Sequence, residues 1–218
     1  MDSEIITVTG PHAGQPMLLA GEPLEQARAA LVLVHGRGAS AHDIVSVADE
    51  WARPGVALLA PQAADKSWYP QRFMAPLDEN EPWLSSALSV VGAALARVTV
   101  AGIPLERVVL LGFSQGACLA LEYAARNAWR YGGLVGLSGG LIGPDGTPRD
   151  YPASLAGTPV FLGCSDVDPH IPAERVRESA EIFRRLGASV EMRLYPNMGH
   201  TINDDEVAHV RELVERLI

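Results

Sequence analysis

The feature that most constrains this sequence is the run from Val108 to Ala125, VVLLGFSQGACLALEYAA, in which a buried-strand pattern changes to a helical pattern at Ser114. Gly112 and Gly116 lie two residues before and two residues after this serine. Small residues there allow a strand to enter a sharp turn and a helix to begin at once, with the serine at the tip. The five residues GFSQG alone could also occur by chance. Their position between a strand and a helix is what predicts a nucleophilic serine.

The composition predicts one globular domain over residues 1–218, because 48% of the residues are hydrophobic and the chain is long enough for one sizeable core. The net charge of −9 disfavours binding to nucleic acid or to anionic lipid. Cys118 and Cys164 lie in apolar runs without paired spacing, which favours reduced, buried thiols over a disulfide or a metal site. The sequence shows no leader-like segment, and we expect no apolar run in it to be long enough to span a bilayer. We therefore expect a cytoplasmic protein without stable membrane association.

Strand-like and helix-like segments alternate along the whole chain, which is typical of a mostly parallel sheet flanked by helices. The predicted strands cover 5–8 and 16–20 at an edge, then 29–36, 56–61, 108–113, 134–138, 158–163 and 190–196. The predicted helices cover 41–52, 81–98, 172–186 and two further segments, one directly after Ser114 and one that begins with a capping pattern at Asn203 and Glu206.

A serine nucleophile needs a histidine base and a carboxylate that orients the base. In proteins with a strand–serine–helix turn, the acid and then the histidine follow the serine, each after its own strand. The loop CSDVDPHIP carries Asp166 and Asp168 after one strand, and NMGH carries His200 after the last. Asp168 is favoured because Pro169 holds it in an extended conformation, but Asp166 stays open as an alternative. The other histidines lie before a strand, on helices or at a helix entry, and not in the loop directly after the final strand; they include His12, His42, His170 and His209.

Two backbone amides are predicted to stabilise a developing oxyanion. One belongs to Gln115, directly after the serine, and the other to Arg37 in the turn HGRGA. Gly36 and Gly38 would let that turn point its N–H inward. The alternative interpretation of HGRG is a glycine-rich connection between a strand and a helix.

Four segments together resemble the phospholipase/carboxylesterase family, which includes acyl-protein thioesterases and small bacterial carboxylesterases: LVLVHGRGAS, LLGFSQGA, the DP pair of CSDVDPHIP, and YPNMGH. The resemblance spans essentially the whole chain and implies an α/β-hydrolase fold, with a mostly parallel central sheet in a three-layer α/β/α arrangement and no large lid domain. It also implies Ser114 as nucleophile, Asp168 and His200 as its partners, the Arg37 and Gln115 amides as oxyanion hole, and a possible homodimer. Arg37 replaces the apolar side chain of the better-known thioesterases, so a long acyl substrate does not follow.

The segment ADKSWYPQRFMAP, residues 64–76, is long, aromatic and without regular periodicity, and such loops often cover a site. Its larger apolar side chains either line the substrate cleft or form a satellite core against the helix near Trp83; they are Trp68, Tyr69, Phe73 and Met74. Arg37 and Arg72 either grip an anionic group of the substrate or are simply solvated.

These predictions define a serine hydrolase that needs neither cofactor nor metal and cleaves small-molecule carboxylic esters or thioesters through an acyl-enzyme on Ser114. Two alternatives remain open at this point, because a fold does not fix a function. One is a cofactor-independent oxygenase or dehalogenase-like enzyme on the same fold, and the other is a non-catalytic ligand-binding relative.

Overall fold

The computed structural model describes residues 2–151 and 153–218, which form one eight-stranded sheet with helices on both faces. The strands are β1 (Asp2–Ile5), β2 (Pro16–Gly21), β3 (Ala29–Val34), β4 (Val56–Pro61), β5 (Val108–Phe113), β6 (Gly133–Leu137), β7 (Pro159–Ser165) and β8 (Ser189–Tyr195). The α-helices are α1 (Ala41–Ala48), α2 (Trp83–Val100), α3 (Gln115–Arg126), α4 (Ala173–Arg185) and α5 (Asp204–Glu215).

The strand order is β1-β2-β4-β3-β5-β6-β7-β8, and all neighbours from β4 to β8 pair in parallel. Only β1 and β2 are antiparallel to their neighbours, at one edge. Because parallel strands end at the same edge of the sheet, the segments after β3, β5, β7 and β8 emerge side by side. This edge carries the residues that the sequence singled out.

Two separate cores cover the two faces of the sheet, and strand β3 shows how its residues divide between them. Ala30, Val32 and Val34 pack into the core that contains α2, α3 and α4. Leu31 and Leu33 point the opposite way, into the core that contains α1 and α5. Successive strand residues face opposite sides of a sheet, so a strand buried on both faces reads as one continuous apolar run. The predicted three-layer α/β/α architecture is confirmed.

Helix boundaries follow local capping signals where these exist. The predicted capping box at the start of α5 is present, with the Asn203 side chain accepting from the Glu206 amide. Helix α1 ends at Ala48 rather than at Ala52, yet Trp51 beyond its end is still fully buried in the same core. The prediction of a first strand over 5–8 is wrong: β1 is a short edge strand over Asp2–Ile5, with little burial to fix its register.

Helix α2 corrects the expectation that no apolar run could span a bilayer. It is 18 residues long with a mean hydropathy of 1.5, and length and composition alone would let it cross a membrane. In the fold its apolar face, which includes Leu84, Val91 and Val98, is buried against the sheet. Buried core helices of α/β proteins can meet the same two criteria of length and composition, and α2 is a core helix of this kind.

Candidate active site

Ser114 occupies the sharp turn between β5 and α3, with φ 55° and ψ −122°. A Cβ atom at Gly112 would lie 2.3 Å from the carbonyl carbon of Gly116, and one at Gly116 would lie 2.1 Å from the carbonyl oxygen of Val34. No side chain fits either position. The two glycines therefore permit the close approach of helix and strand that forces the serine into this strained conformation.

A continuous chain of hydrogen bonds joins Ser114, His200 and Asp168. His200 Nε2 lies 2.8 Å from Ser114 Oγ, and its Nδ1 lies 2.7 Å from Asp168 Oδ2. The Asp168 side chain is fully buried, whereas His200 is partly open to solvent. A carboxylate at Nδ1 requires the proton on that nitrogen, which leaves Nε2 to accept from the serine hydroxyl. This arrangement can withdraw a proton from Ser114 as the serine attacks an electrophile.

Asp168 is held as an anion by the loop that carries it. Burial alone would raise its pKa, but hydrogen bonds from His200 and from the amides of His170 and Ile171 lower the pKa below the ordinary value for aspartate. The two amides donate to Oδ1 at 2.8 Å and 3.0 Å. Both carboxylate oxygens are thus fixed, and the carboxylate can in turn fix the imidazole.

The alternative acid, Asp166, does not contact His200. Its exposed side chain accepts from the backbone amide of Asn197 at 2.9 Å, in the turn that leads to His200. Asp166 therefore braces the loop, and Asp168 is the carboxylate that reaches the imidazole.

The two amides predicted to bind an oxyanion lie around the serine turn. Gln115 is the first residue of α3, and the HGRG turn packs so closely that a Cβ atom at Gly36 would lie 3.3 Å from Ser114 Cβ. Within residues 2–151 and 153–218, neither the Arg37 amide nor the Gln115 amide donates to a protein acceptor. Both N–H groups are therefore available to a ligand at Ser114.

The side chains of the same two residues hold the 64–76 segment over the site. Gln115 accepts from the Trp68 amide at 2.9 Å and donates to the Tyr69 carbonyl at 2.8 Å. The Arg37 guanidinium donates to the carbonyl oxygens of Tyr69, Pro70 and Gln71. These anchoring contacts join parts of the chain more than 30 residues apart, and nothing in the local sequence indicates them.

A profile of the phospholipase/carboxylesterase family matches residues 20–218 of this chain. The chain belongs to that family. A solved structure of a phospholipase/carboxylesterase from Dyadobacter fermentans is 42% identical, with a TM-score of 0.87 over 91% of this chain and 95% of that one. Acyl-protein thioesterase 1 of Gibberella zeae is 28% identical over 88% of this chain and 91% of its own length. The match to acyl-protein thioesterase 1 of Debaryomyces hansenii, at 27% identity, spans 53% of this chain and only half of that protein.

Membership of the phospholipase/carboxylesterase family confirms the resemblance, the α/β-hydrolase fold and the hydrolase class predicted from the sequence.

The residues around Ser114 line a cavity of about 560 Å³, which we call the serine cavity. Three residues of the candidate substrate wall line it, namely Tyr69, Arg72 and Phe73. Further lining residues that the sequence did not single out for this wall are Pro70, Gln71, Cys118, His170 and Ile171.

Trp68 and Met74 do not line the serine cavity and instead pack in the core that contains α2, α3 and α4. The indole of Trp68 is fully buried and donates to the His35 carbonyl at 2.8 Å. Met74 packs partly buried against the same core. The backbone carbonyl of Trp68 also accepts a hydrogen bond, from the buried imidazole of His12. Burial lowers the pKa of His12 and of His35, so both brace this region as neutral rings.

His170 is a lining residue that its place in the sequence could have revealed. It stands two positions after Asp168, and its ring lies edge-on to the His200 ring with centroids 4.9 Å apart. A residue so close to the acid in sequence is carried to the site by the same loop. Its position at a helix entry, and not after the final strand, distinguishes it in the sequence from His200.

On the other side of His200 lies a second cavity of about 500 Å³, the apolar groove, whose lining includes Ile44, Val47, Phe113 and Ile202. His200 lines both cavities. Ser114 lines the serine cavity but not the apolar groove.

Two buried cysteines lie close to the site. Burial raises the pKa of Cys118, on the wall of the serine cavity, to about 12, so its thiol stays protonated. Cys164 is also free and buried. Across residues 2–151 and 153–218, no group of three or more histidine, cysteine, aspartate or glutamate side chains is arranged to hold a metal ion.

Proposed function

We propose that this hydrolase cleaves small carboxylic esters or thioesters through an acyl-enzyme on Ser114, with His200 as general base and Asp168 as the group that orients it. The observation that carries the proposal is the unbroken hydrogen-bond chain from the Ser114 hydroxyl through His200 to the buried Asp168 carboxylate. A serine becomes a useful nucleophile at neutral pH when a base takes its proton during attack.

In the acylation step, Ser114 Oγ forms a bond to the carbonyl carbon while its proton passes to His200 Nε2. The carbonyl oxygen becomes negative and accepts hydrogen bonds from the amides of Arg37 and Gln115. Loss of one such donor typically costs about 3 kcal/mol of transition-state stabilisation. The tetrahedral intermediate then collapses, and His200 gives its proton to the departing oxygen or sulfur.

In the deacylation step, His200 takes a proton from a water molecule, and the resulting hydroxide adds to the acyl carbon. Collapse of the second tetrahedral intermediate breaks the bond to Ser114 Oγ, which recovers its proton from His200. Asp168 stays ionised throughout and stabilises the imidazolium that forms in both steps. No step in this scheme calls for a cofactor.

The names of the relatives support both leaving-group classes. The fungal relatives are acyl-protein thioesterases, and the Dyadobacter fermentans structure is a phospholipase/carboxylesterase. Family membership favours hydrolysis over the oxygenase and binding alternatives. The ratio of kcat/KM for an ester to kcat/KM for the thioester with the same acyl group measures which leaving group the enzyme prefers.

The proposal is tested with 4-nitrophenyl butyrate and a fluorophosphonate probe on wild type, Ser114→Ala and His200→Ala. We expect Ser114→Ala to fold normally and to lose nearly all turnover and all labelling. His200→Ala should also lose labelling, because the unactivated hydroxyl reacts poorly. Ser89→Ala, at an exposed serine on α2, serves as the matched control and should behave as wild type. Turnover retained by Ser114→Ala would overturn the proposal.

A further inference from the structure

Two arginines, Arg37 and Arg72, line the serine cavity in a chain that is strongly acidic overall. Arg37, Arg72 and His170 stand on its wall beside His200, and none of the described residues that line it is an aspartate or glutamate. The net charge of the whole chain is −9. A local charge opposite to that of the protein indicates a preference for one charge type among ligands.

Arg72 is the cationic group that is free to bind a ligand. It is exposed on the cavity wall, and its guanidinium makes no hydrogen bond or ion pair with any described residue. Several arginines elsewhere form ion pairs, for example Arg53 with Glu215 and Arg193 with Asp205. Arg37 differs from Arg72, because three backbone carbonyls occupy its donors. A guanidinium with open donors at a cavity wall suits bidentate binding of a carboxylate.

His170 places a second donor group on the same wall. Its backbone amide is fixed by Asp168 Oδ1, and its ring is packed edge-on to His200, so the ring is held in position. Its ring nitrogens make no hydrogen bond to the residues that the structure describes. Apolar surface from Tyr69, Phe73 and Ile171 lies in the same cavity and can contact methylene groups.

We infer that the preferred substrates of this enzyme are esters or thioesters that carry a carboxylate, bound in the serine cavity by Arg72 with help from His170. The inference rests on the proposed function, because the carboxylate is recognised while Ser114 attacks the ester carbonyl. The cavity volume of about 560 Å³ is that of a small-molecule site, so the substrate class is a small half-ester of a dicarboxylic acid or an ester of a small hydroxy or mercapto acid.

The experiment compares substrates that differ only in charge. For a carboxylate on the acyl side, the pair is the 4-nitrophenyl half-ester of adipic acid and the 4-nitrophenyl ester of adipic acid monoamide. For a carboxylate on the leaving group, the pair is 4-carboxyphenyl butyrate and 4-carbamoylphenyl butyrate. In each pair the readout is the ratio of kcat/KM for the anion to kcat/KM for the neutral amide, corrected for spontaneous hydrolysis.

We expect the wild-type ratio to exceed about ten in at least one pair and to shrink at about 0.5 M salt, as a charge-assisted contact requires. Arg72→Gln should lower this ratio about tenfold, and His170→Gln should lower it by less. Arg107→Gln is the matched control, because Arg107 is exposed, has no described ion-pair partner and precedes β5 at the end away from Ser114. It should leave the ratio unchanged.

A wild-type ratio near one in both pairs, or a ratio that Arg72→Gln leaves unchanged, would overturn the inference. Such a result leaves the proposed function intact, since both members of each pair would still be cleaved and Ser114→Ala would still abolish cleavage. Failure of the proposed function gives a different result, in which Ser114→Ala retains turnover of the charged and neutral substrates alike.

Discussion

The Arg37 guanidinium donates from Nη2 to the carbonyl oxygen of Tyr69 at 2.8 Å. The backbone amide of Arg37 is one of the two proposed oxyanion donors, and its side chain holds the wall of the serine cavity. Gln115 combines the same two roles through its own amide and side chain. The two residues whose amides are proposed to bind the oxyanion are thus both hydrogen-bonded to the 64–76 segment through their side chains.

Arg37→Met tests this tie. The substitution keeps the amide and much of the aliphatic stem but removes the donors to three carbonyl oxygens, so we expect a loosened cavity wall, a higher KM and a kcat/KM lower by about tenfold, with stability lower by about 1–3 kcal/mol. Arg37→Lys should rescue poorly, because an ammonium group cannot reproduce the planar fork. Steady-state kinetics and urea unfolding, with Arg107→Met as control, measure both effects. Wild-type kinetics in Arg37→Met would show that the wall does not depend on this clamp.

Asp168→Asn should lower kcat by up to about 10⁴-fold with little change in fold. The amide of asparagine can donate to Nδ1, which would place the imidazole proton on Nε2 and prevent it from accepting from Ser114. Asp166→Asn is the matched control, because Asp166 lies in the same loop and contacts Asn197 instead of His200. Its kcat should stay within about threefold of wild type. Equal losses in the two variants would contradict the assignment of the acid.

Ser114→Gly should unfold at higher denaturant concentration than Ser114→Ala. Both variants lose the hydroxyl and its bond to His200, so their difference isolates the backbone conformation at φ 55° and ψ −122°. Relief of strain of this kind is worth about 1–2 kcal/mol. Chemical denaturation of the two proteins side by side measures it. If Ser114→Gly proved no more stable than Ser114→Ala, the turn would not be strained by its side chain.

The raised pKa of Glu206 predicts that the free energy of unfolding depends on pH. Burial raises its pKa from 4.5 to about 7, and its Oε1 has no hydrogen-bond partner among the described residues. Between these values the folded protein keeps a proton that the unfolded chain has released, so stability falls as the pH rises through this window. Glu206→Gln should therefore be more stable than wild type at about pH 8, by at most about 3 kcal/mol, and similar to it near about pH 4.

Unfolding free energies of wild type and Glu206→Gln across that pH range provide the measurement. The control is Glu212→Gln on the exposed side of the same helix, which should give a curve parallel to wild type. Parallel curves for Glu206→Gln and wild type would contradict the raised pKa of Glu206.

Much of the fold and of the hydrogen-bonded group at its centre followed from local patterns. The continuous apolar run of β3 identified a strand buried on both faces, and chain order together with strand ends singled out Ser114, Asp168 and His200. These signals are local because strand burial and turn chemistry are properties of short segments.

The remaining features depend on long-range contacts that no local pattern encodes. The buried indole of Trp68 donates to the carbonyl of His35, 33 positions away. The Arg37 guanidinium donates to the carbonyl of Tyr69, 32 positions away. The sequence therefore allows two interpretations of the large apolar residues in the 64–76 segment, and the structure divides these residues between core and cavity wall. The sequence does not predict the position of the edge strand β1, because its mostly exposed residues show little alternation of apolar and polar side chains.

The central claim, an acyl-enzyme on Ser114, is tested most directly by mass spectrometry of the enzyme quenched in acid during turnover of 4-nitrophenyl butyrate. We predict an adduct of one butyryl group on the peptide that contains Ser114, formed within a burst of nitrophenolate release and lost once the substrate is consumed. The same sample of Ser114→Ala should show neither adduct nor burst. Turnover with no adduct on that peptide, or an adduct that persists in Ser114→Ala, would contradict the mechanism.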